Sequence, residues 1–192
     1  MNCTGRVTAL VLGIPGSGKS TVCKEVAHRL DGAWLSASGV LRAFGAENPE
    51  FEARWRSYWD RGDYVPESEV NPVLWQAYLR IKRFAVLLDG YPRTYGQVDE
   101  FLQRGARISV AILLLVDEGV ALSRIVDRAQ RSGRFDDAIS VARRRIQNEI
   151  ANLSALVTHR EINCTLVQID AGLGKAQVVE RVIEAVVRTV ES

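Results

Sequence analysis

The stretch LGIPGSGKST, residues 12–21, contains the pattern G-x-x-x-x-G-K-S, which ends in Lys19 and Ser20. It follows the apolar run VTALVL and precedes a segment with helical spacing. Glycines let successive backbone N–H groups curl around phosphate oxygens, the N-terminus of the next helix adds partial positive charge, and a lysine adds a full one. The stretch therefore predicts a phosphate-binding loop between a strand and a helix, in preference to an ordinary turn.

Apolar runs and helical spacings alternate along the rest of the chain. Runs that fit strands lie at 7–12, 33–35, 85–88, 110–116 and 165–169, and helical patterns include 20–30, 68–81, 137–157 and 175–190. Several of the strand runs are continuously apolar, which is typical of strands buried on both faces of a parallel sheet. The pattern predicts an α/β fold, a doubly wound parallel sheet of five strands with helices on both faces and the ligand at the carboxyl ends of the strands.

Two stretches depart from this alternation. Residues 37–82 carry one helical pattern after another with no strand between them, and residues 127–137 are short, polar and contain Gly133. We expect one domain over 1–192, whose core is formed by about 1–36, 83–126 and 138–192. A helical lobe over about 37–82 and a short lid over about 127–137 would be inserted into that core.

Composition excludes several classes of partner. The formal net charge of +2 gives no excess that would favour nucleic acid or a membrane surface. The cysteines Cys3, Cys23 and Cys164 are widely spaced, which argues against a disulfide framework or a zinc site. Neither a leader pattern nor an apolar run of membrane-spanning length is present. We expect a cytoplasmic monomer that binds small molecules, with neither nucleic acid nor membrane as partner.

An acidic residue and an arginine follow the third strand candidate, in the sequence LLDGYPRT. Asp89 closes a buried strand beside the phosphate loop, where a partner for Mg²⁺ belongs, and Ser20 is the loop's own metal ligand. Arg93 offers a planar fork that suits a phosphate. An Asp-Gly turn is the alternative role for Asp89.

Five motifs occur in order along the chain: GIPGSGK at 13–19, LSASGVLR at 35–42, GDYVP at 62–66, DGYPRTYGQ at 89–97 and RIVDRAQRSGRFDD at 124–137. Together they resemble the nucleoside monophosphate kinases, and most closely the adenylate kinases with a short, zinc-free lid. The resemblance covers nearly the whole chain. It implies an enzyme that uses ATP and Mg²⁺ and transfers the γ-phosphoryl group to a nucleoside monophosphate, with AMP as the leading acceptor.

The resemblance also implies roles for individual residues. Those that would bind ATP are Gly16, Ser17, Gly18, Lys19, Ser20, Thr21, Arg128 and Gly172. Those that would bind the acceptor are Ala37, Arg42, Val65, Gly90, Arg93, Gln97, Arg134 and Arg145. Within these sets Arg42 and Arg93 grip the acceptor's phosphate and Gln97 reads its base. Lys19, Arg93, Arg134 and Arg145 would act on the phosphoryl group, and Ser20 and Asp89 would hold the metal.

Some of these residues also fit structural roles. Thr94 and Gln97 have the spacing of a capping box, and Asp136 fits a helix cap. Arg143, Arg144 and Arg145 point about 100° apart on a helix, so at most one of them faces a common site. The spacing from the lid favours Arg145.

The loop at residues 36–39 departs from the adenylate kinase pattern. This chain reads SASG where the family usually has STGD, so Ala37 replaces a threonine that contacts adenine and Gly39 replaces an acidic residue. Ser36 or Ser38 could restore the missing hydroxyl. Two alternatives therefore stay open: a kinase of the same fold for another monophosphate, such as CMP, UMP or a specialised metabolite, and an ATP-binding regulator without transfer. Retention of both Arg42 and Arg93 argues against the regulator.

Overall fold

The structure, a computed structural model, describes residues 6–132, 139–163 and 165–190. The strands are β1 (Val7–Leu12), β2 (Ala33–Ser36), β3 (Ala85–Asp89), β4 (Val110–Leu115) and β5 (Leu166–Asp170). The helices are α1 (Lys19–Arg29), α2 (Ala37–Glu47), α3 (Pro49–Arg61), α4 (Glu67–Arg80), α5 (Tyr95–Gln103), α6 (Glu118–Ser132), α7 (Ile139–Leu156), α8 (Arg160–Asn163) and α9 (Lys175–Arg188). Every strand predicted from the apolar runs is present, with ends that differ by about one residue.

The strands form one sheet in the order β2-β3-β1-β4-β5, and every neighbouring pair is parallel. This confirms the predicted fold class. β3 lies between β1 and β2, and its last residue, Asp89, pairs with Val11 on one side and Ser36 on the other. The loop that follows β1 and the helix α2 that follows β2 therefore leave the sheet on either side of Asp89.

Both faces of the sheet are covered, as the apolar strands predicted. Along β1, Leu10 and Leu12 contribute to a core shared with α4, α5 and α7, while Ala9 and Val11 contribute to a second core shared with α1 and α9. Alternate strand residues point to opposite faces, so one fully buried strand supports both layers.

Three helices, α2, α3 and α4, fill the interval between β2 and β3, in the predicted lobe. An aromatic cluster of Phe44, Phe51, Trp55 and Trp59 packs α2 against α3. The Trp55 indole donates to Glu69 Oε2 at 2.8 Å and so joins α3 to α4.

The end of α4 is attached to the sheet. The hydroxyls of Tyr78 and Thr8 are 3.0 Å apart, and Arg6 donates to the Ile81 carbonyl at 2.6 Å. The lobe therefore has one end anchored on β1, and its other end meets α7.

The predicted lid begins within a helix. α6 continues to Ser132, so residues 127–132 are helical, and residues 133–138 lie outside the described part of the chain. Within the described residues no helix is both long and apolar enough to cross a membrane.

Candidate active site

The phosphate loop joins β1 to α1 and adopts backbone angles that favour glycine. Gly16 has φ +84°, and a Cβ there would lie 2.3 Å from the Ala121 carbonyl oxygen of α6. Gly18 caps α1 with φ +94°, where no atom would meet a Cβ within 4 Å. A side chain at Gly16 would be strained by both the close contact and the positive φ, and one at Gly18 by the positive φ alone.

Lys19 is the first residue of α1, and its ammonium folds back onto the loop. It donates to the Gly13 carbonyl and, at 3.0 Å, to the Ile14 carbonyl. Burial lowers the pKa of Lys19, while the carboxylates of Glu149 and Asp89 oppose that shift. The loop thus holds a cation at its centre.

Ser20 and Asp89, the predicted metal pair, are in direct contact. The Ser20 hydroxyl donates to Asp89 Oδ2 at 2.6 Å, and the Trp34 indole donates to the same oxygen at 3.3 Å. Asp89 is buried at the end of β3. A hydroxyl and a carboxylate are hard oxygen ligands, so the pair fits Mg²⁺.

The other residues predicted to bind ATP lie in the loop, on α1, on α6 and in the loop after β5. The Ser17 hydroxyl is buried and has no hydrogen-bond partner among the described residues, so it is a polar group available to a ligand. Arg128 lies on α6, and the Gly172 amide donates to Asp170 Oδ1 at 2.8 Å in the loop after β5. Thr21 is exposed on α1.

Arg124 has a linking role that the sequence did not reveal. Its guanidinium donates to the Gly16 carbonyl at 3.4 Å and to the Ala171 carbonyl at 3.1 Å. It therefore ties the phosphate loop to the loop after β5. Arg124 is the first arginine of the fifth motif, which was the available signal.

The residues predicted to bind the acceptor line one cavity of about 410 Å³, which we call the lobe cavity. Its walls come from α2, α3, the segment between α3 and α4, α4, the loop before α5, α5 itself and α7. The lining includes all of the described residues in that prediction: Ala37, Arg42, Val65, Gly90, Arg93, Gln97 and Arg145. Arg134 lies outside the described residues. Since these side chains come from distant parts of the sequence, their common location supports the motif alignment.

Gln97 is buried and its side-chain amide is engaged on both ends. Thr94 Oγ1 accepts from the backbone N–H of Gln97 at 3.2 Å, as the side chain of an N-cap residue does. Gln97 Oε1 accepts from the Arg93 amide at 2.8 Å, and Nε2 donates to Asn71 Oδ1 at 3.1 Å. In the predicted capping box the Gln97 side chain would accept from the Thr94 backbone N–H, but it accepts from that of Arg93, one residue earlier. Because Asn71 Oδ1 accepts from Gln97 Nε2, the orientation of the Gln97 side-chain amide is fixed.

Residues 36–39, which depart from the family pattern, are the end of β2 and the first turn of α2 and do not form a loop, and they place a methyl group on the cavity wall. Ala37 is buried and lines the lobe cavity, as does Ser38. Ser36 instead caps α2, because its hydroxyl accepts from the Gly39 amide at 3.3 Å. Of the two serines, Ser38 is thus the one placed at the cavity.

Arg93 lies deep in the lobe cavity beside two residues that the sequence analysis missed. Its Nε is 3.5 Å from Glu149 Oε2, and its guanidinium carbon is 4.9 Å from the centre of the Tyr64 ring. Burial acts to lower the pKa of Arg93, but Glu149 and Tyr64 hold it above the ordinary value. Trp59 also lines the cavity and was not predicted.

The three consecutive arginines of α7 separate as the helical geometry predicted. Arg143 and Arg144 are exposed, and Arg144 pairs with Asp63 at 2.8 Å. Arg145 is half-buried and lines the lobe cavity. One face of α7 therefore carries both Arg145 and Glu149 toward the cavity.

A family model for adenylate kinase matches residues 11–164 of the chain. Adenylate kinase from Kocuria rhizophila is 33% identical over 188 residues, which cover 93% of this chain and 98% of that protein. The enzyme of the same name from Pseudarthrobacter chlorophenolicus is 32% identical over 186 residues, covering 92% and 95% of the two chains. Adenylate kinase from Thermus thermophilus is 32% identical over 169 residues, covering 86% and 88%.

The chain belongs to the adenylate kinase family. The resemblance drawn from the five motifs is thereby confirmed, as is the prediction of an ATP-dependent phosphotransferase. Within an adenylate kinase fold, the loop 13–20 and the lobe cavity lie on either side of β3. The roles of single residues in these two places stay predictions.

Proposed function

We propose that this chain transfers the γ-phosphoryl group of ATP to a nucleoside monophosphate, with AMP as the leading acceptor and ADP as the product. The observation that carries the proposal is the pair of consecutive residues at the end of β3. Asp89 accepts from Ser20 of the phosphate loop, and Gly90 lines the lobe cavity. Two phosphate sites at adjoining positions are what a transfer between two nucleotides requires.

Positioning and charge account for most of the catalysis of phosphoryl transfer. In the proposed mechanism the loop amides and Lys19 hold the phosphates of ATP. Arg93 and Arg42 hold the acceptor's phosphate, and Arg145, with Arg134, stabilises the equatorial oxygens of the group in flight. Ser20 and Asp89 would hold Mg²⁺, which would neutralise charge on the β- and γ-phosphates.

We propose that the lobe over about 37–82 and the lid over about 127–137 enclose the two nucleotides and exclude water. Without such closure ATP would be hydrolysed in place of being used. A cytoplasmic location and a monomeric state also stay predictions.

The experiment is a coupled assay of ADP formation with Mg²⁺ and ATP against AMP, CMP, UMP, GMP and dTMP. We expect transfer to at least one of them, with AMP leading, and little ADP when no acceptor is present. Equal ADP formation with and without acceptor would contradict transfer and favour the ATP-binding regulator.

A specific observation favours the other open alternative, an acceptor other than AMP. The cavity wall presents the methyl group of Ala37 and the rings of Trp59 and Tyr64. Ser38, Thr94 and Gln97 also line the cavity, so the position of Ala37 selects the base by shape while hydrogen bonds would have to come from these other side chains. The same acceptor panel separates this alternative from AMP.

A further inference from the structure

Arg93 is surrounded on several sides before any ligand is considered. Tyr64 covers the face of its guanidinium, with the ring centre 4.9 Å away, and Glu149 Oε2 lies 3.5 Å from Nε. On another side a Cβ at Gly90 would lie 2.6 Å from Nη2, so the guanidinium fills the space a side chain would need. The Arg93 side chain is 26% exposed, and the residue lines the lobe cavity.

Tyr64 and Glu149 are also bonded to each other. The Tyr64 hydroxyl donates to Glu149 Oε2 at 2.5 Å, the same oxygen that faces Arg93 Nε. Glu149 is 4% exposed, so its carboxylate is held in one place by the fold. A buried carboxylate needs partners, and here they are a phenol and a guanidinium, while the Lys19 ammonium lies close enough for the two charges to act on each other.

The location of this carboxylate is costly for a phosphate site. A negative charge close to the site repels a phosphate dianion, so Glu149 acts against acceptor binding unless it does something else. Its contact with Arg93 is an ion pair at Nε, whose N–H makes no hydrogen bond among the described residues, so the phosphate would have to be bound by the terminal nitrogens of the guanidinium. A planar fork binds phosphate well only when its edge is correctly aimed.

We propose that Tyr64 and Glu149 are positioning residues that aim the Arg93 guanidinium at the acceptor's phosphate. The inference rests on the proposed function, because it assigns the acceptor's phosphate to the lobe cavity. It predicts that a fixed orientation of Arg93 raises acceptor kcat/KM by more than the repulsion between Glu149 and the phosphate lowers it.

The test compares Glu149→Gln, which keeps the shape and removes the charge, with Tyr64→Phe, which keeps the ring and removes the hydroxyl. In Glu149→Gln we expect kcat/KM for the acceptor to fall about 10- to 100-fold, with KM for ATP within about twofold of wild type. Tyr64→Phe should lose about 2- to 10-fold. Glu180→Gln is the matched control, since it removes a carboxylate paired with Arg29 at 2.6 Å on the protein surface.

The Arg93→Ala background separates positioning from a general effect on the fold. Activity in this background is followed with radiolabelled ATP at high enzyme concentration. There Glu149→Gln should lower acceptor kcat/KM by less than a further factor of about two, because no guanidinium is left to aim. The same loss in both backgrounds would overturn the inference, as would a gain in acceptor kcat/KM in Glu149→Gln, which would mean that repulsion dominates.

If Glu149→Gln does not fold, Tyr64→Phe carries the same comparison with and without Arg93. A wild-type chain that phosphorylates no monophosphate contradicts the proposed function. An active wild type whose acceptor kinetics are unchanged by both variants contradicts only the positioning by Tyr64 and Glu149.

Discussion

The phosphate loop and the lobe cavity flank the same strand and are built in different ways. The loop is one continuous segment, and its shape depends on backbone angles and on carbonyls that hold Lys19. The lobe cavity is assembled from side chains of α2, α3, α4, α5 and α7, and of the segments that precede α4 and α5. A backbone site tolerates most side-chain changes outside its few fixed positions, whereas a side-chain site changes its selectivity with single substitutions.

The two sites also satisfy their charges differently. In the loop, the cation of Lys19 is bonded to backbone carbonyls of its own segment. In the lobe cavity, the cation of Arg93 faces a carboxylate and a ring from two distant elements. We therefore expect changes at the loop to lower turnover with every acceptor, and changes to the cavity wall other than at Arg93 and Arg145 to act mainly on the acceptor.

The largest expected effect is that of Lys19→Ala. Removing a full charge aimed at the transferred group should lower kcat by about 10²- to 10³-fold, while the fold is retained. Steady-state kinetics with every acceptor that the wild type uses would measure it. Because the loop serves all acceptors, the loss should be the same for each, and turnover close to that of wild type would refute the role of Lys19.

Gly90→Ala should produce a smaller effect than Lys19→Ala, confined to the acceptor. The new methyl group would enter the space of Arg93 Nη2, and φ is +81° at this position. We expect acceptor kcat/KM to fall about tenfold, with KM for ATP unchanged.

Gly105→Ala is the matched control for that substitution. Gly105 has φ +86°, and a Cβ there would meet no atom within 4 Å. Both variants should lose about 1 kcal/mol of stability from the positive φ, but only Gly90→Ala should lose acceptor kinetics. Equal kinetics in the two variants would mean that contact with Arg93 does not matter.

The loop could be predicted from sequence because its residues are consecutive and their chemistry is local. The sheet was predictable for a similar reason, since continuous apolar runs mark strands buried on both faces. Strand order and register depend on packing between distant segments, and only the structure gives them.

Residues of the lobe cavity could be predicted from the sequence only where one of the five motifs assigns them a role. Tyr64 and Glu149 are 85 positions apart, so their bond leaves no local pattern in the sequence. A signal was nevertheless present. Glu149 follows Arg145 by one helical turn, which places both on one face of α7. Tyr64 lies inside the third motif, next to Val65, at a position to which the motif assigns no role.

Ala37→Thr changes the wall of the lobe cavity, and we expect a smaller effect on acceptor kinetics than that of Gly90→Ala. If a hydroxyl at this position bonds to adenine, kcat/KM for AMP should rise about 2- to 13-fold, with KM for ATP unchanged. Ala37→Val is the control, since valine has the shape of threonine without its hydroxyl. No gain in the threonine variant, together with strong AMP selectivity in the wild type, would indicate that Ser38 already supplies the contact.

The smallest expected effect concerns the bond that joins the lobe to α7. Asp63, just after α3, pairs with Arg144 at 2.8 Å and with Arg61 at 3.3 Å. Burial acts to raise the pKa of Asp63, but hydrogen bonds from Arg61 and Arg144 outweigh it and hold the pKa below the ordinary value of 3.8. The phosphate loop has no comparable exposed pair among the residues described above.

A lowered pKa in the folded state means that the carboxylate stabilises the fold above its unfolded pKa and loses this effect as pH falls through its folded pKa. Since the pair is largely exposed, Asp63→Asn should cost only about 0.2–1 kcal/mol at pH 7, or at most about 2–4 °C in Tm. Calorimetry should show this difference shrinking below about pH 4 and disappearing in stronger acid. Asp63→Asn combined with Arg144→Gln should lose little more than either alone, because both remove the same pair. A Tm difference that persists unchanged in acid would mean that the Asp63→Asn substitution disturbs the packing of the lobe on α7 and that the ion pair contributes nothing.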